Sequence, residues 1–456
     1  MPAPVQRLHA RSALLAEGWA QDVRLTVSAG IVTTIEAATA PRPRDETHAV
    51  LLPGMPNLHS HAFQRGMAGL AECRGPSSDS FWTWRETMYR FVERIGPEEL
   101  AALAALAYME MLESGFTRVS EFHYLHHDLD GSPFSDRAEM CRAIIEAASE
   151  TGIGLTLLPV FYAHAGFGGA SLNANQRRFG CDLDGYARLL EAARIAAADL
   201  SDAIVGIAPH SLRAVTPEEL AALVPLADGK PVHIHIAEQM REVEECLQWR
   251  GVRPVDWLLD HAPVDSRWCL VHATHMSETE TTRLAASGAV AGLCPITEAN
   301  LGDGIFPAEA FLTAGGRIGV GSDSNVLISL SEEMRLLEYG QRLTLQGRNI
   351  LSSRDRHSTG EHIYRRCLEG GGHAAGVDTS AIGAGQPADF FSLDVDHPAL
   401  RARSVDRLLD SWVFATGGSA IDCVWRRGTK MVSKGKHVAR GSIVRRYRGV
   451  LEKILA

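Results

Sequence analysis

Leu51 to Gln64 reads LLPGMPNLHSHAFQ, an apolar run that ends in two histidines one residue apart. On a strand, side chains at i and i+2 face the same way, so His59 and His61 can reach one point where the strand stops. Two imidazoles converging there have a metal-ligand geometry, although two unrelated polar residues in a turn would give the same letters. The Pro53-Gly54-Met55-Pro56 break before the pair, and matching residues further along the chain, favour the first reading.

Upstream, residues 5–48 carry short alternating segments, LHARSALL, VRLTVSA and IVTTIEA, the period-two pattern of small antiparallel strands. Ala49–Leu52 reads as the strand that leads into the histidine pair. Downstream, Ala62 to about Gly96 reads as a long irregular segment. Its aromatic run FWTWRETMYRF fits either a lid over a site or packing beneath the loop.

From Pro97 the pattern alternates helix and strand. PEELAALAALAYMEMLES (97–114) is a helix with Gly115 as its stop, and Thr216 with Pro217 opens another. The strands that follow the histidine pair are TRVSEFHY, GIGLTLLPVFYAH, DAIVGIAPHS, KPVHIHIAE, SRWCLVHATH, AVAGLCPIT and GRIGVGSDSN. Eight β/α units in about 275 residues are the size and rhythm of a closed (β/α)8 TIM-like barrel, an α/β fold whose sites sit at the C-terminal strand ends. The unusual polar residues fall at those ends: His59, His61, Tyr124, His210, His235 with Glu238, His272 and Asp323. After residue 376, short strands with Gly turns return. Residues 1–50 and 377–456, the latter ending in a C-terminal tail, are therefore expected to pair as one small β-sandwich beside a barrel spanning 51–376.

Composition narrows the function. The 456 residues carry 45 basic and 55 acidic side chains, net −10, with no basic block, so neither nucleic acid nor an anionic membrane is an expected partner. Eight cysteines without a C-x-x-C pair read as small core residues in a reducing compartment. The stretch MPAPVQRLHARSALL lacks a long apolar core, and the cytoplasm is the expected location.

The H-x-H on strand one, histidines on strands five and six and aspartate on strand eight resemble the amidohydrolase superfamily over nearly the whole chain. NLHSHAFQRGMAG, APHSLRAVTPEEL, HIHIAEQ and GSDSN are similar, more narrowly, to the formimidoylglutamate deiminase family of histidine degradation. The resemblance implies that His59, His61, His235 and Asp323 hold one divalent cation, with zinc the expected ion. His233 shares the face of His235, but the family's H-x-x-E spacing selects His235 with Glu238. A second, lysine-bridged metal is not expected, since AIVGIAPHS has no lysine, and the HYLHH run at 123–127 reads as non-ligating.

The same resemblance implies hydrolysis of N-formimidoyl-L-glutamate to N-formyl-L-glutamate and ammonia. A cation draws the pKa of water toward about 7. Asp323 would take its proton, Glu238 would protonate the leaving nitrogen, and His272 would orient the water and stabilise developing charge. The two carboxylates of this small dicarboxylate amidine need arginine forks, for which Arg85 and Arg213 are the candidates, with Gln64, Tyr124 and His210 as further contacts. A homodimer is expected. The rival readings are an aminohydrolase of a purine, pterin or triazine ring, with an aromatic and mostly uncharged pocket, and a non-catalytic scaffold barrel, which would lack ligands.

Overall fold

The computed structural model describes residues 5–74, 79–353, 355, 357–378, 381–416 and 420–456. The chain opens with strands β1 (Gln6–Leu15), β2 (Gly18–Ser28), β3 (Ile31–Glu36) and β4 (Glu46–Pro53). The first three run antiparallel, but β4 lies parallel to β1 and not antiparallel as its neighbours' pattern implied. The barrel strands follow: β5 (Met55–Ser60), β6 (Phe116–His123), β7 (Gly154–Phe161), β8 (Ile204–Val205), β9 (Ala208–Pro209), β10 (Val232–Ile236), β11 (Trp268–His272), β12 (Val290–Leu293) and β13 (Arg317–Val320). The chain then returns through β14 (Phe390–Leu393), β15 (Ile421–Arg426), β16 (Thr429–Ser433) and β17 (Lys436–His437).

Strands from both ends form one eight-stranded sheet, in which β14 from the C-terminal part pairs with β4 from the N-terminal part. Gly385 N donates to Val32 O (2.8 Å) and Val32 N to Gln386 O (2.9 Å), so the segment before β14 reaches the far edge at β3. The sheet thereby folds over a core of its own that includes Leu25, Val27, Phe390 and Trp425. That is the expected sandwich, with one shift. The apolar run read as a single strand into the histidines is two strands in two sheets, split at Gly54, and residue 51 falls inside β4. A Cβ on Gly54 would lie 2.3 Å from Thr117 side-chain atoms, so the crossing requires glycine.

Two parallel sheets make the barrel, β5 through β9 and β10 through β13. Isolated bridges close both seams: Ile207 to Val232 on one side and Ser60 to Asp323 on the other. The segment after β5 is not irregular. It holds a 3-10 turn over Ala62–Met67 and helix α1 (Phe81–Val92), started by Ser80, whose side chain accepts from Trp82 N. Helix α2 (Pro97–Ser114) ends as expected at Gly115, which has φ +99°. The C-terminal part is not strands alone. Arg440–Leu455 forms a helix that lies on α2 through ion pairs of Arg440 with Glu113 and Lys453 with Glu99.

Close packing at the barrel's back rests on Gly370-Gly371-Gly372 in the helix Thr359–Ala375. A Cβ on Gly370 would stand 2.0 Å from the carbonyl oxygen of Ile318 in β13. Gly370→Ala should therefore lower stability by about 1–3 kcal/mol, as overpacking does, and lower the melting temperature. Gly449, in the C-terminal helix with nothing within 4 Å of its Cβ position, is the control. Gly449→Ala should gain roughly 0.5–1 kcal/mol, so its thermal melt should sit at or above wild type.

Candidate active site

The site is assembled at the seam between β5 and the end of β13. Asn57 Nδ2 donates to Ser322 Oγ (2.7 Å), and Ser322 N donates back to Asn57 Oδ1 (3.1 Å). Asn325 Nδ2 then bonds Ser60 Oγ, His61 O and Asp323 O at 3.0–3.1 Å. Asp323 and Asn325 adopt φ of +43° and +55°, and His272 at the end of β11 adopts +69°. Such left-handed backbone costs on the order of 1–3 kcal/mol at a non-glycine residue and persists where surrounding contacts impose it.

Three imidazoles converge on one point. His59 Nε2 stands 3.2 Å from His61 Nε2 and 3.1 Å from His235 Nε2. Asp323 Oδ1 lies 3.5 and 3.4 Å from the first two. Ligands on a tetrahedral zinc at about 2.0–2.1 Å are about 3.3 Å apart, so the donor set fits such an ion. The outer hydrogen bonds agree: His61 Nδ1 faces Phe122 O at 2.9 Å and His235 Nδ1 faces His210 O at 3.0 Å. Donating there leaves each Nε2 lone pair directed at the shared point. Burial pushes His61 down to about 3 and His235 well below the usual imidazole range, so both are neutral, as ligation requires. His233 is elsewhere, bonded through Nε2 to Ala374 O (2.8 Å), and His126 and His127 are bonded to Val160 O and Gly180 O.

Beside the cluster lie a fourth imidazole and a second carboxylate. His272 Nε2 is 3.8 Å from both Glu238 Oε1 and Asp323 Oδ2. Burial pushes Glu238 up to about 7, against the pull of His272 and Arg213. Burial opposes ionisation of Asp323 as well, but His59 and the other imidazoles hold it below the usual carboxylate range. His272 goes the other way: burial would lower it, yet Glu238, Glu298 and Asp323 together raise it. Sequence reading missed Glu298, whose Oε1 accepts from Cys294 N (2.9 Å) and meets His272 Nδ1 at 3.2 Å.

All the sequence-predicted site residues except His59, which lies fully buried behind, line one cavity that is partly open to solvent. Gln64 Nε2 donates to Tyr124 OH (2.9 Å), and its Oε1 is buried without a partner. Arg85 lies over the rings of Trp82 (4.5 Å) and Tyr89 (5.7 Å). Arg213 stands 3.8 Å from Glu242. The Nε atoms of both arginines are buried without a protein partner. His210 packs on Tyr162 with ring centroids 4.5 Å apart. The wall is more aromatic than the sequence reading implied, with Phe81, Trp84, Tyr89, Tyr162 and Phe179.

A model of the amidohydrolase family matches residues 50–431. The chain belongs to that family. Residues 6–49 match a model of the formimidoylglutamate deiminase HutF N-terminal domain. The formimidoylglutamate deiminase of Pseudomonas aeruginosa is 48% identical over 450 residues, 98% of this chain and 99% of that one. Within the family the chain stands with the formimidoylglutamate deiminases. Among solved structures, an amidohydrolase from Brucella melitensis matches at TM-score 0.96 and 52% identity, covering 99% of this chain and 100% of that one. An adenosine deaminase from Xanthomonas campestris with bound zinc matches at TM-score 0.81 and 22% identity over 100% of both chains, a likeness of fold.

Glu298 offers a test of the arrangement. Glu298→Ala leaves His272 Nδ1 and Cys294 N without their acceptor, and kcat should fall by about 10- to 100-fold, the usual scale for such supporting contacts. Glu298→Gln can keep both bonds through its amide oxygen and should fall less. Steady-state assays paired with elemental analysis should show metal content unchanged in both.

Proposed function

We propose that the chain hydrolyses N-formimidoyl-L-glutamate to N-formyl-L-glutamate and ammonia in histidine degradation. One zinc ion would be held by His59, His61, His235 and Asp323. The observation that carries this reading is the pair of guanidiniums, Arg85 and Arg213, lining the same cavity as Glu238 and His272 with buried, unpartnered Nε donors. A buried guanidinium donor without an acceptor is costly, and a ligand with two carboxylates relieves that cost at both positions. The 48% identity to a formimidoylglutamate deiminase supports the same substrate.

When bound, zinc supplies Lewis acidity and draws the pKa of water toward about 7. Ionised Asp323 accepts a proton from the attacking water. Glu238, half protonated at about pH 7, delivers a proton to the departing nitrogen, so that the C–N bond breaks with ammonia as leaving group. His272, within 3.8 Å of both carboxylates, donates toward the oxygen on which negative charge grows. Gln64 and Tyr124 hold the amidine side, and His210 fills the wall between Arg213 and the metal ligands. The aromatic walls would also accept a flat ring, which is the case for a purine or triazine deaminase. The two arginines argue against it, because a neutral ring would leave their buried Nε donors without an acceptor.

Replacing Arg85 or Arg213 with Met should lower kcat/KM for formimidoylglutamate by about 1.5–3 kcal/mol, the range for a charged hydrogen bond, without loss of metal. Lysine should rescue only in part. Normal kinetics in both Met variants would overturn the substrate assignment. Glu238→Gln should lose about 10² to 10⁴ in kcat with the metal retained. Because Glu238 must carry the proton, wild-type kcat/KM, which reports the free enzyme, should decline as pH rises through about 7, and the Gln variant should lack that limb. Elemental analysis should return one zinc per chain.

A further inference from the structure

Arg178 is 2% exposed, and among the described residues it forms no ion pair with a carboxylate. Arginine is seldom buried in that way, since the guanidinium loses its hydration and needs replacement partners. Its partners are backbone carbonyls. Nη2 donates to Ile95 O (2.7 Å) and His127 O (3.0 Å), Nε to His127 O and Asp128 O (both 3.1 Å), and Nη1 to Val92 O. Its own carbonyl accepts from His126 N and His127 N at 3.0 and 3.1 Å. Burial lowers its pKa to about 10, which leaves it charged at neutral pH.

Val92 is the last residue of α1, and Ile95 lies in the turn that follows. A cation there meets the negative end of the helix dipole and, at Val92, a carbonyl that otherwise accepts from Ile95 N (3.2 Å). The same guanidinium grips the loop after β6, so one side chain joins α1 to two loops at the barrel mouth. The next residue, Phe179, lines the cavity and packs against Tyr89 of α1 (6.1 Å between ring centroids) and Tyr124 (5.0 Å). α1 also carries Arg85 and Met88 to the cavity wall.

We propose that Arg178 is a positioning residue for substrate binding: by fixing the C-terminal end of α1, it sets where Arg85 presents its guanidinium. The inference rests on the reading of Arg85 as a carboxylate-binding residue. Arg178 touches neither substrate nor the reacting atoms, so its removal should act on KM and spare chemistry.

The test compares Arg178→Met, Arg178→Lys, Arg85→Met and the double variant Arg178→Met/Arg85→Met as zinc-loaded full chains, with formimidoylglutamate as substrate. Arg178→Met should raise KM by about tenfold or more while kcat stays within about threefold. Arg178→Lys, with three donors and no planar fork, should fall between it and wild type. In the Arg85→Met background the Arg178 change should shift KM by less than about twofold, because residues acting through one contact are not additive. If Arg178→Met is insoluble, Arg178→Lys alone and combined with Arg85→Met answers the same question. Wild-type KM, an equal loss in kcat and KM, loss of zinc, or multiplication of the two single effects would each overturn the proposal. A normal KM in Arg85→Met alone would overturn the carboxylate role of Arg85 and, with it, the route assigned to Arg178, whereas multiplied effects would overturn Arg178 alone.

Discussion

Everything at this site depends on one seam. The histidine pair and Asp323 belong to the first and last barrel strands, and the bond from Asn325 Nδ2 to His61 O spans 264 residues of sequence. Asn57, Ser322 and Asn325 lock these strand ends together with neutral side chains, at buried positions where an ion pair would first have to offset the desolvation of both charges. Each amide spends its donors and acceptors on a fixed partner, so strand register and carboxylate position are set together. The left-handed backbone at Asp323 and Asn325 is tolerated because this network imposes it. Without that closure His59 and His61 would sit on one edge of an open sheet and Asp323 on the other.

The barrel and the gathering of His59, His61, His235 and Asp323 were legible in the sequence because strand ends carry polar residues that nothing else explains. His59, His61, His235, Glu238, His272 and Asp323 each stand where an apolar run stops, and a parallel barrel collects all such ends on one face. The switch of sheets at Gly54 was not legible in the same way. Leu51, Leu52, Met55 and Leu58 are all buried, so hydrophobicity does not mark where one sheet hands over to the next. Glu298 was missed for a different reason. It follows directly on AVAGLCPIT, which was read wholly as a strand, whereas that strand stops at Leu293 and a short helix over Pro295–Leu301 brings Glu298 to His272 across 26 residues.

Two omissions were readable. Buried Ile443, Val450 and Ile454 and half-buried Tyr447 recur at helical spacing in the C-terminal segment, yet the neighbouring Gly turns drew the reading toward strands. In α1, the Ser80 and Thr83 side chains form a reciprocal cap. The aromatics that follow have modest helix propensity, which disguises the helix as a loop. The aromatic run was expected near the site, and it lines the cavity from a helix and not from an irregular loop. That difference matters, because a helix presents Phe81, Arg85, Met88 and Tyr89 on one stripe whereas an irregular loop would not.

The cavity's charges are also arranged so that binding and chemistry are coupled. Arg213 is among the groups that pull the pKa of Glu238 down, while burial pushes it up. In the proposed reading a substrate carboxylate settles on Arg213 and neutralises that pull. Glu238 then holds its proton more firmly once the substrate is in place, when a proton is needed at the departing nitrogen. A neutral ring could fill the same aromatic walls without touching this balance, and Arg213 would go on drawing Glu238 toward its ionised form. The arginine therefore has a second consequence beyond affinity. In that reading it would tie the protonation of the acid to the presence of a carboxylate on the ligand, a discrimination in kcat that shape complementarity alone does not provide.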